Sequence, residues 1–242
     1  MSVLHLEKLN KIYKPNTVAL NSVSFSIKLQ SITGIVGPNG SGKTTLLNCI
    51  IRTIKQTSGE IEWDEVLDND FLYIPDENIL PELLTGKEYL CFLGKLYNKK
   101  IDDKNIAELS TIFSIEKELN NTISTYSYGM KKKIQIIASC LIKPGLLILD
   151  EPFRGLDVES IIITKELLKG LQYSGSSIFL SSHDISSIEQ LCSEVIMIKL
   201  GNIVCNGSIQ HILDSNNADC LEEVFVKLFK NENIENAQKY FN

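Results

Sequence analysis

Residues 37–45 read Gly-Pro-Asn-Gly-Ser-Gly-Lys-Thr-Thr, directly after the apolar run 32–36 and at the head of a stretch, 44–54, whose pattern predicts a helix. This strand–glycine loop–helix order fits G-x-x-x-x-G-K-[ST] and commits the chain to an α/β fold. The chemistry of a phosphate cradle sets the residue types. Backbone N–H groups converge on an anion only where glycines let the chain wrap closely, and the helix N-terminus adds partial positive charge. Gly37, Pro38, Asn39, Gly40, Ser41, Gly42, Lys43, Thr44 and Thr45 are therefore candidate nucleotide contacts. The Lys43 ammonium is expected at the β- and γ-phosphates and the Thr44 hydroxyl at Mg²⁺. A glycine-rich turn with a surface lysine is the plain alternative for such a loop, and its strand–loop–helix setting argues against it.

Residues 146–149 are four apolar residues followed by Asp150 and Glu151. A buried strand would deliver both carboxylates to the sheet's C-terminal edge, where α/β proteins bind ligands. Asp150 suits Mg²⁺, directly or through water, and Glu151 suits a general base acting on water. Two solvated acids at a strand end are common in isolation. The pairing with the glycine loop favours the catalytic reading.

Alternating or apolar runs predict strands at 3–9, 18–29, 32–36, 60–63, 71–74, 146–149, 177–180 and 195–198. Ser58-Gly59 reads as a turn. Between 77 and 144 helical periodicity takes over. Helices are expected at 160–171, 186–191 and 218–230, with a frayed polar tail beyond. Strands alternating with helices imply a mostly parallel sheet covered on both faces. Residues 1–76 and 144–212 are expected to form the α/β core with an antiparallel N-terminal β-subdomain. Residues 77–143 are read as an inserted helical subdomain and 213–242 as a C-terminal helix and tail.

Of the 242 residues, 43% are apolar and 22% charged, an ordinary globular balance, and the net charge of −6 argues against a nucleic-acid backbone as partner. The six cysteines form no C-x-x-C pair and read as small buried hydrophobes. The N-terminus has no basic region followed by an apolar run, so no signal peptide is expected. No run reaches the ~18 apolar residues a membrane span needs.

Further motifs give the chain a specific resemblance. Tyr126-Ser-Tyr-Gly-Met130 precedes the acidic strand by some twenty residues and is followed by Lys131-Lys132-Lys133. Gly155-Leu156-Asp157 follows that strand, and Ser181-Ser-His-Asp184 ends the next. Tyr13 precedes Ala19-Leu20. Over nearly the whole chain, in this order, the sequence resembles the nucleotide-binding subunits of ABC transporters. The fold implied is a RecA-like P-loop NTPase core.

The resemblance implies that Ser127 and Gly129 belong to a signature loop that meets ATP held by a second subunit. Ser127 would open a helix, so its hydroxyl and the N–H groups behind it suit a γ-phosphate. Asp157 falls in the D-loop, His183 at the switch histidine and Tyr13 at the adenine-stacking aromatic. Alone, a tyrosine near the N-terminus is more often core or surface, and a Ser-Ser-His more often a satisfied turn.

Two departures stand out. Tyr128 replaces the usual third-position glycine of the signature. Asp76, after Phe71–Ile74, falls where the Q-loop glutamine is usual, and as an acid it is a candidate for Mg²⁺ or a water.

The activity implied is ATP hydrolysis with Mg²⁺. The implied partners are a second ATP-binding subunit, identical or paralogous, and a polytopic permease. The implied place is the cytoplasmic face of the membrane. Similarity to the ABC-2 drug- and peptide-export branch, supported by 221–225, tilts the direction to export. A soluble ABC ATPase of the iron–sulfur assembly type is the main alternative. The chain lacks the heptads of DNA-repair ATPases and the second ATPase unit of translation-type proteins.

Overall fold

The computed structural model describes residues 1–64 and 70–229. Its elements are β1 (Ser2–Tyr13), β2 (Thr17–Lys28), β3 (Ile32–Val36), α1 (Lys43–Ile50), β4 (Ser58–Trp63), β5 (Phe71–Ile74), α2 (Gly86–Leu96), α3 (Asp103–Ile112), α4 (Tyr128–Ile142), β6 (Leu146–Asp150), α5 (Val158–Tyr173), β7 (Ser177–Ser181), α6 (Ile185–Leu191), β8 (Glu194–Lys199), β9 (Asn202–Ser208), α7 (Ile209–Asn216) and α8 (Leu221–Phe229). The frayed tail expected after 230 lies outside the described residues.

The chain is α/β, with a mixed, mostly parallel sheet and an antiparallel N-terminal sheet. It folds as two compact units. The first holds Met1–Val3, Lys28–Ile32 and Trp63–Leu180. In it β5, β6 and β7 lie in that order. β5 and β6 are parallel, Phe71 opposite Leu146 and Ile74 opposite Leu149. Every residue of β6 and of β7 is buried, as in parallel strands covered on both faces. Helices α2 and α3 pack on α4. α2 begins with a reciprocal cap, Thr85 accepting from Glu88 N while the Glu88 carboxylate accepts from Thr85 N.

The second unit holds Leu4–Ile27, Thr33–Glu62 and, of the described residues, those from Ser181 to Phe229. Its antiparallel sheet has the order β2-β1-β4. On β2, Val23, Phe25 and Ile27 point inward and their neighbours outward, the period-two pattern of a half-buried strand, and buried Leu20 lies one residue out of that period across left-handed Ser22 (φ 51). β3 and β8 are parallel, Val36 opposite Met197, and β9 returns antiparallel along β8.

Four local expectations change. The first helix spans Lys43–Ile50 and not 44–54, because Arg52 turns left-handed and Thr53 and Ile54 both donate to the Asn48 carbonyl. Ser58-Gly59 is the start of β4 and not a turn. Gly59 has φ +88, and a Cβ there would lie 2.3 Å from the Lys8 carbonyl of β1. β9 and α7 have no counterpart in the sequence reading. The β8–β9 hairpin turns through Leu200 (φ 48) and Gly201 (φ 77), both left-handed as a two-residue hairpin requires. A leucine in the first turn position hides that signal.

Candidate functional site

In the second unit the glycine loop leaves the C-terminal end of β3 and enters α1 through Gly42, which at φ 109 precedes the helix without a side-chain cap. The N-terminus of α1 therefore carries its partial positive charge toward an incoming anion with no side-chain cap in between. The glycines are forced by their surroundings. A Cβ on Gly37 would lie 2.2 Å from the Ile198 carbonyl and 2.7 Å from Ser41 Oγ, and one on Gly42 would lie 2.6 Å from the Ala19 carbonyl. The Ser41 amide donates to the Pro38 carbonyl at 3.1 Å, and the Ser41 carbonyl accepts from Gly201 N at 2.9 Å. Ser41 Oγ is buried inside the loop without a hydrogen-bond partner. Lys43 is buried and arches over the loop, its Nζ donating to the Gly37 carbonyl at 2.6 Å and the Pro38 carbonyl at 3.3 Å. Pro38, Asn39, Gly40 and Thr44 are exposed and Thr45 half-buried.

Tyr13 and His183 belong to the same unit. Tyr13 ends β1 with its ring exposed and Lys11 Nζ 5.0 Å from the ring centroid. His183 is exposed, one residue before Asp184, which caps α6 by accepting from Ser187 N and Ser187 Oγ.

The first unit gathers Asp76, Ser127, Gly129, Asp150, Glu151 and Asp157. Asp150 is buried at the end of β6. Glu151 follows at φ 49, a left-handed conformation that costs a non-glycine residue about 1–2 kcal/mol. It turns the chain so that Arg154 N donates to the Glu151 carbonyl at 3.2 Å. Ser127 caps α4, accepting from Met130 N at 3.2 Å, and is exposed. Gly129 approaches so closely that a Cβ would lie 2.8 Å from the Gly155 carbonyl. Asp157 caps α5, accepting from Ser160 N at 2.8 Å. That bond, with Lys133 3.6 Å away, holds its carboxyl below the usual range.

The tyrosine and the acid that depart from the usual motifs meet. The Tyr128 hydroxyl lies 3.0 Å from the Asp76 carbonyl and 3.2 Å from Asp76 Oδ1. Arg154 Nη1 donates to Asp76 Oδ2 at 2.5 Å. Burial and the neighbouring Asp76 push the Tyr128 phenol up.

The three lysines after the signature do not form one solvated face. Lys131 pairs with Glu82 at 2.8 Å, Lys133 reaches Asp157, and Lys132 is fully buried with Nζ donating to the Pro75 carbonyl at 3.1 Å. Burial lowers the Lys132 ammonium pKa, and Asp76 and Asp150 oppose that shift. Sequence reasoning missed Lys132 and Arg154 as parts of this site. The only signals were a lysine at the fifth position of a helix that buries that face, and an arginine three residues after Glu151.

A glycine loop that heads a helix, with a buried lysine folded over it, and a buried strand ending in paired acids define a P-loop nucleoside triphosphatase. The family model described as ABC transporter matches residues 20–154. The chain is 30% identical over 219 residues to the ABC transporter ATP-binding protein NatA of Bacillus subtilis, covering 86% of this chain and 89% of that one. It is 30% identical over 244 residues to the ABC-type transporter ATP-binding protein EcsA of the same organism, covering 96% and 98%. A solved ATP-binding subunit of an ABC transporter superposes with TM-score 0.85 at 27% identity, over 94% of this chain and all of that one. A dimeric ATP-binding cassette in a post-hydrolysis state, bound to ADP and Pi, superposes at 0.75 and 25% identity, over 85% and 98%. The chain belongs to the ABC transporter ATP-binding family. It is an ATP-binding subunit of an ABC transporter and an ATPase.

Proposed function

We propose that ATP binds the loop 37–45 and is hydrolysed with Glu151 as general base, in a dimer whose motion drives a separate polytopic membrane subunit. The observation that carries this reading is the loop itself: Gly37 and Gly42, which admit no Cβ, a helix start without a side-chain cap and the buried Lys43. Lys43 would neutralise the β- and γ-phosphates, and the exposed Tyr13 ring would stack on adenine for about 1–3 kcal/mol. Thr44 and Asp150 supply hard oxygen donors, the set Mg²⁺ prefers alongside phosphate oxygens. When bound there, Mg²⁺ would offset the charge developing on the β- and γ-oxygens. Glu151 accepts the proton of the attacking water as its oxygen bonds to the γ-phosphorus and the bridging bond to ADP breaks. His183 donates a hydrogen bond to the γ-phosphate and steadies the water.

Ser127 is exposed at the head of α4. This supports a signature loop that serves nucleotide held by a second copy or paralogue, with Gly129 and Asp157 shaping its approach. Exposed apolar side chains Ile79, Leu83, Phe92 and Leu96 follow Asp76 and line α2. They support docking to a membrane protein, and so favour transport over a soluble ATPase of the iron–sulfur assembly type. Among the described residues no helix is long and apolar enough to cross a membrane. From the resemblance to ABC ATP-binding subunits we assign the spanning helices to the partner and this chain to the cytoplasmic face. Export is our reading of direction, from the resemblance to export-type relatives.

Replacing Glu151 by Gln tests the central step. Hydrolysis is expected to fall by about 10²–10⁴-fold, with an ATP-bound dimer accumulating in size-exclusion chromatography. Wild-type turnover in that variant would remove the general-base role. Copurification with a polytopic membrane protein separates transport from the soluble alternative.

A further inference from the structure

Two loops and a helix start of the first unit converge on one ion pair. Asp76 follows β5, Arg154 follows β6, and Tyr128 opens α4. Asp76 Oδ2 accepts from Arg154 Nη1 at 2.5 Å, and Tyr128 Oη is 3.2 Å from Oδ1. Asn78 Nδ2 donates to the Tyr128 carbonyl at 3.1 Å. Lys132, buried beneath, donates to the carbonyls of Pro75 and Asp76 at 3.1 and 3.4 Å. The Tyr128 ring lies against Gly155, where a Cβ would come within 2.3 Å of Cδ1. Asp76 is thus held on its side chain by Arg154 and Tyr128 and on its main chain by Lys132.

The same Arg154 belongs to the turn that holds Glu151. Its amide closes that turn on the Glu151 carbonyl at 3.2 Å, and the turn needs Glu151 at φ 49. A left-handed glutamate persists only where its surroundings over-determine it. The arginine side chain anchors the turn from one side and the main-chain bond from the other. Its partner is the acid that replaces a neutral glutamine in the family pattern. The strand ends that carry the two loops are in register, Ile74 opposite Leu149, so the pair spans adjacent strand ends.

We propose that Arg154 is a positioning residue for hydrolysis, and that Asp76, Tyr128 and Arg154 together form a latch tying the loop after β5 to the turn that aims Glu151. This rests on the reading of Glu151 as general base. In the latched state Asp76 is a partner for arginine and not a metal ligand. A pull on the loop after β5 releases Arg154 and lets the Glu151 turn relax, so turnover follows the state of that loop. The side chains of Arg154 and Asp76 are 59% and 26% exposed, so the latch opens without unfolding a core.

The test is steady-state ATP hydrolysis by the full chain, titrated separately with ATP and with Mg²⁺. Arg154→Gln and Asp76→Asn are each expected to lower kcat by about tenfold or more, with KM for ATP held within about twofold, since aim and not binding is lost. The double variant is expected to be no slower than either single one, because both remove one interaction. Arg154→Lys keeps the charge and recovers part of the loss. Tyr128→Phe keeps the ring against Gly155 and guards against a folding defect; it lowers kcat by roughly two- to fivefold.

Turnover within about twofold of wild type in Arg154→Gln overturns the latch, as do losses that multiply in the double variant. If Asp76→Asn raises the Mg²⁺ needed for half-maximal rate by about tenfold while Arg154→Gln is normal, Asp76 is a metal ligand and the latch is wrong. Glu151→Gln separates the two readings. If that variant is inactive and Arg154→Gln is normal, only the latch fails. If that variant turns over normally, the general-base reading fails first.

Discussion

A single atom decides whether the glycine loop can exist. At Gly37 the space a Cβ would fill is taken by a main-chain carbonyl at 2.2 Å, which cannot swing away as a side chain does. Gly37→Ala must displace Ile198 or deform the loop. It is expected to weaken ATP affinity by at least about tenfold, or 1.4 kcal/mol, in a fluorescent-nucleotide titration. Unchanged affinity would mean the loop has slack that its contacts deny. Gly40, with nothing within 4 Å of its Cβ position, is constrained by φ +76 alone. Both glycines were legible as a motif. What was not legible is that one is fixed by space and the other by backbone angle, since that depends on which strand passes overhead. Glu151 is similar: its identity was readable, its φ of 49 was not.

At the scale of elements, candidate site residues double as helix caps. Ser127 caps α4 and Asp157 caps α5. Capping leaves the side chain at the helix N-terminus, where N–H groups and positive potential already concentrate. Asp157→Ala is expected to cost about 0.5–1 kcal/mol in urea unfolding at neutral pH, at the low end because the group is exposed. Its carboxyl is held low by Ser160 N and Ser160 Oγ, so the folded state releases its proton at lower pH than the unfolded chain. The stabilisation is therefore present above the ordinary carboxylate pKa and is lost as the pH falls through the folded value. The difference between wild type and variant should shrink below about pH 4. A gap that widens in acid would exclude the cap as its source. The buried strands were readable from apolar runs; β9 and α7 were not, because a half-buried edge strand after a Leu-Gly turn carries neither signal strongly.

For the whole molecule, nucleotide and stability are linked. A ligand at one hundred times its Kd adds about 2.7 kcal/mol to the folded state, and each kcal/mol raises Tm by roughly 2–4 °C for a chain of this length. ATP with Mg²⁺ is expected to raise Tm by several degrees in the wild type and much less in Lys43→Ala. An equal rise in both would place the nucleotide elsewhere.

The order of glycine loop, Ser127, paired acids, Asp157 and His183 was enough to point to the family, because sequence records residue types and their spacing directly. Only the tertiary structure decided what the unusual residues do. Asp76, Tyr128, Lys132 and Arg154 are spread over 79 positions of the chain, and no local pattern links them. Parallel β5 and β6 bring two loops to one edge, α4 starts beside them, and the ion pair forms because that arrangement sets opposite charges within contact distance.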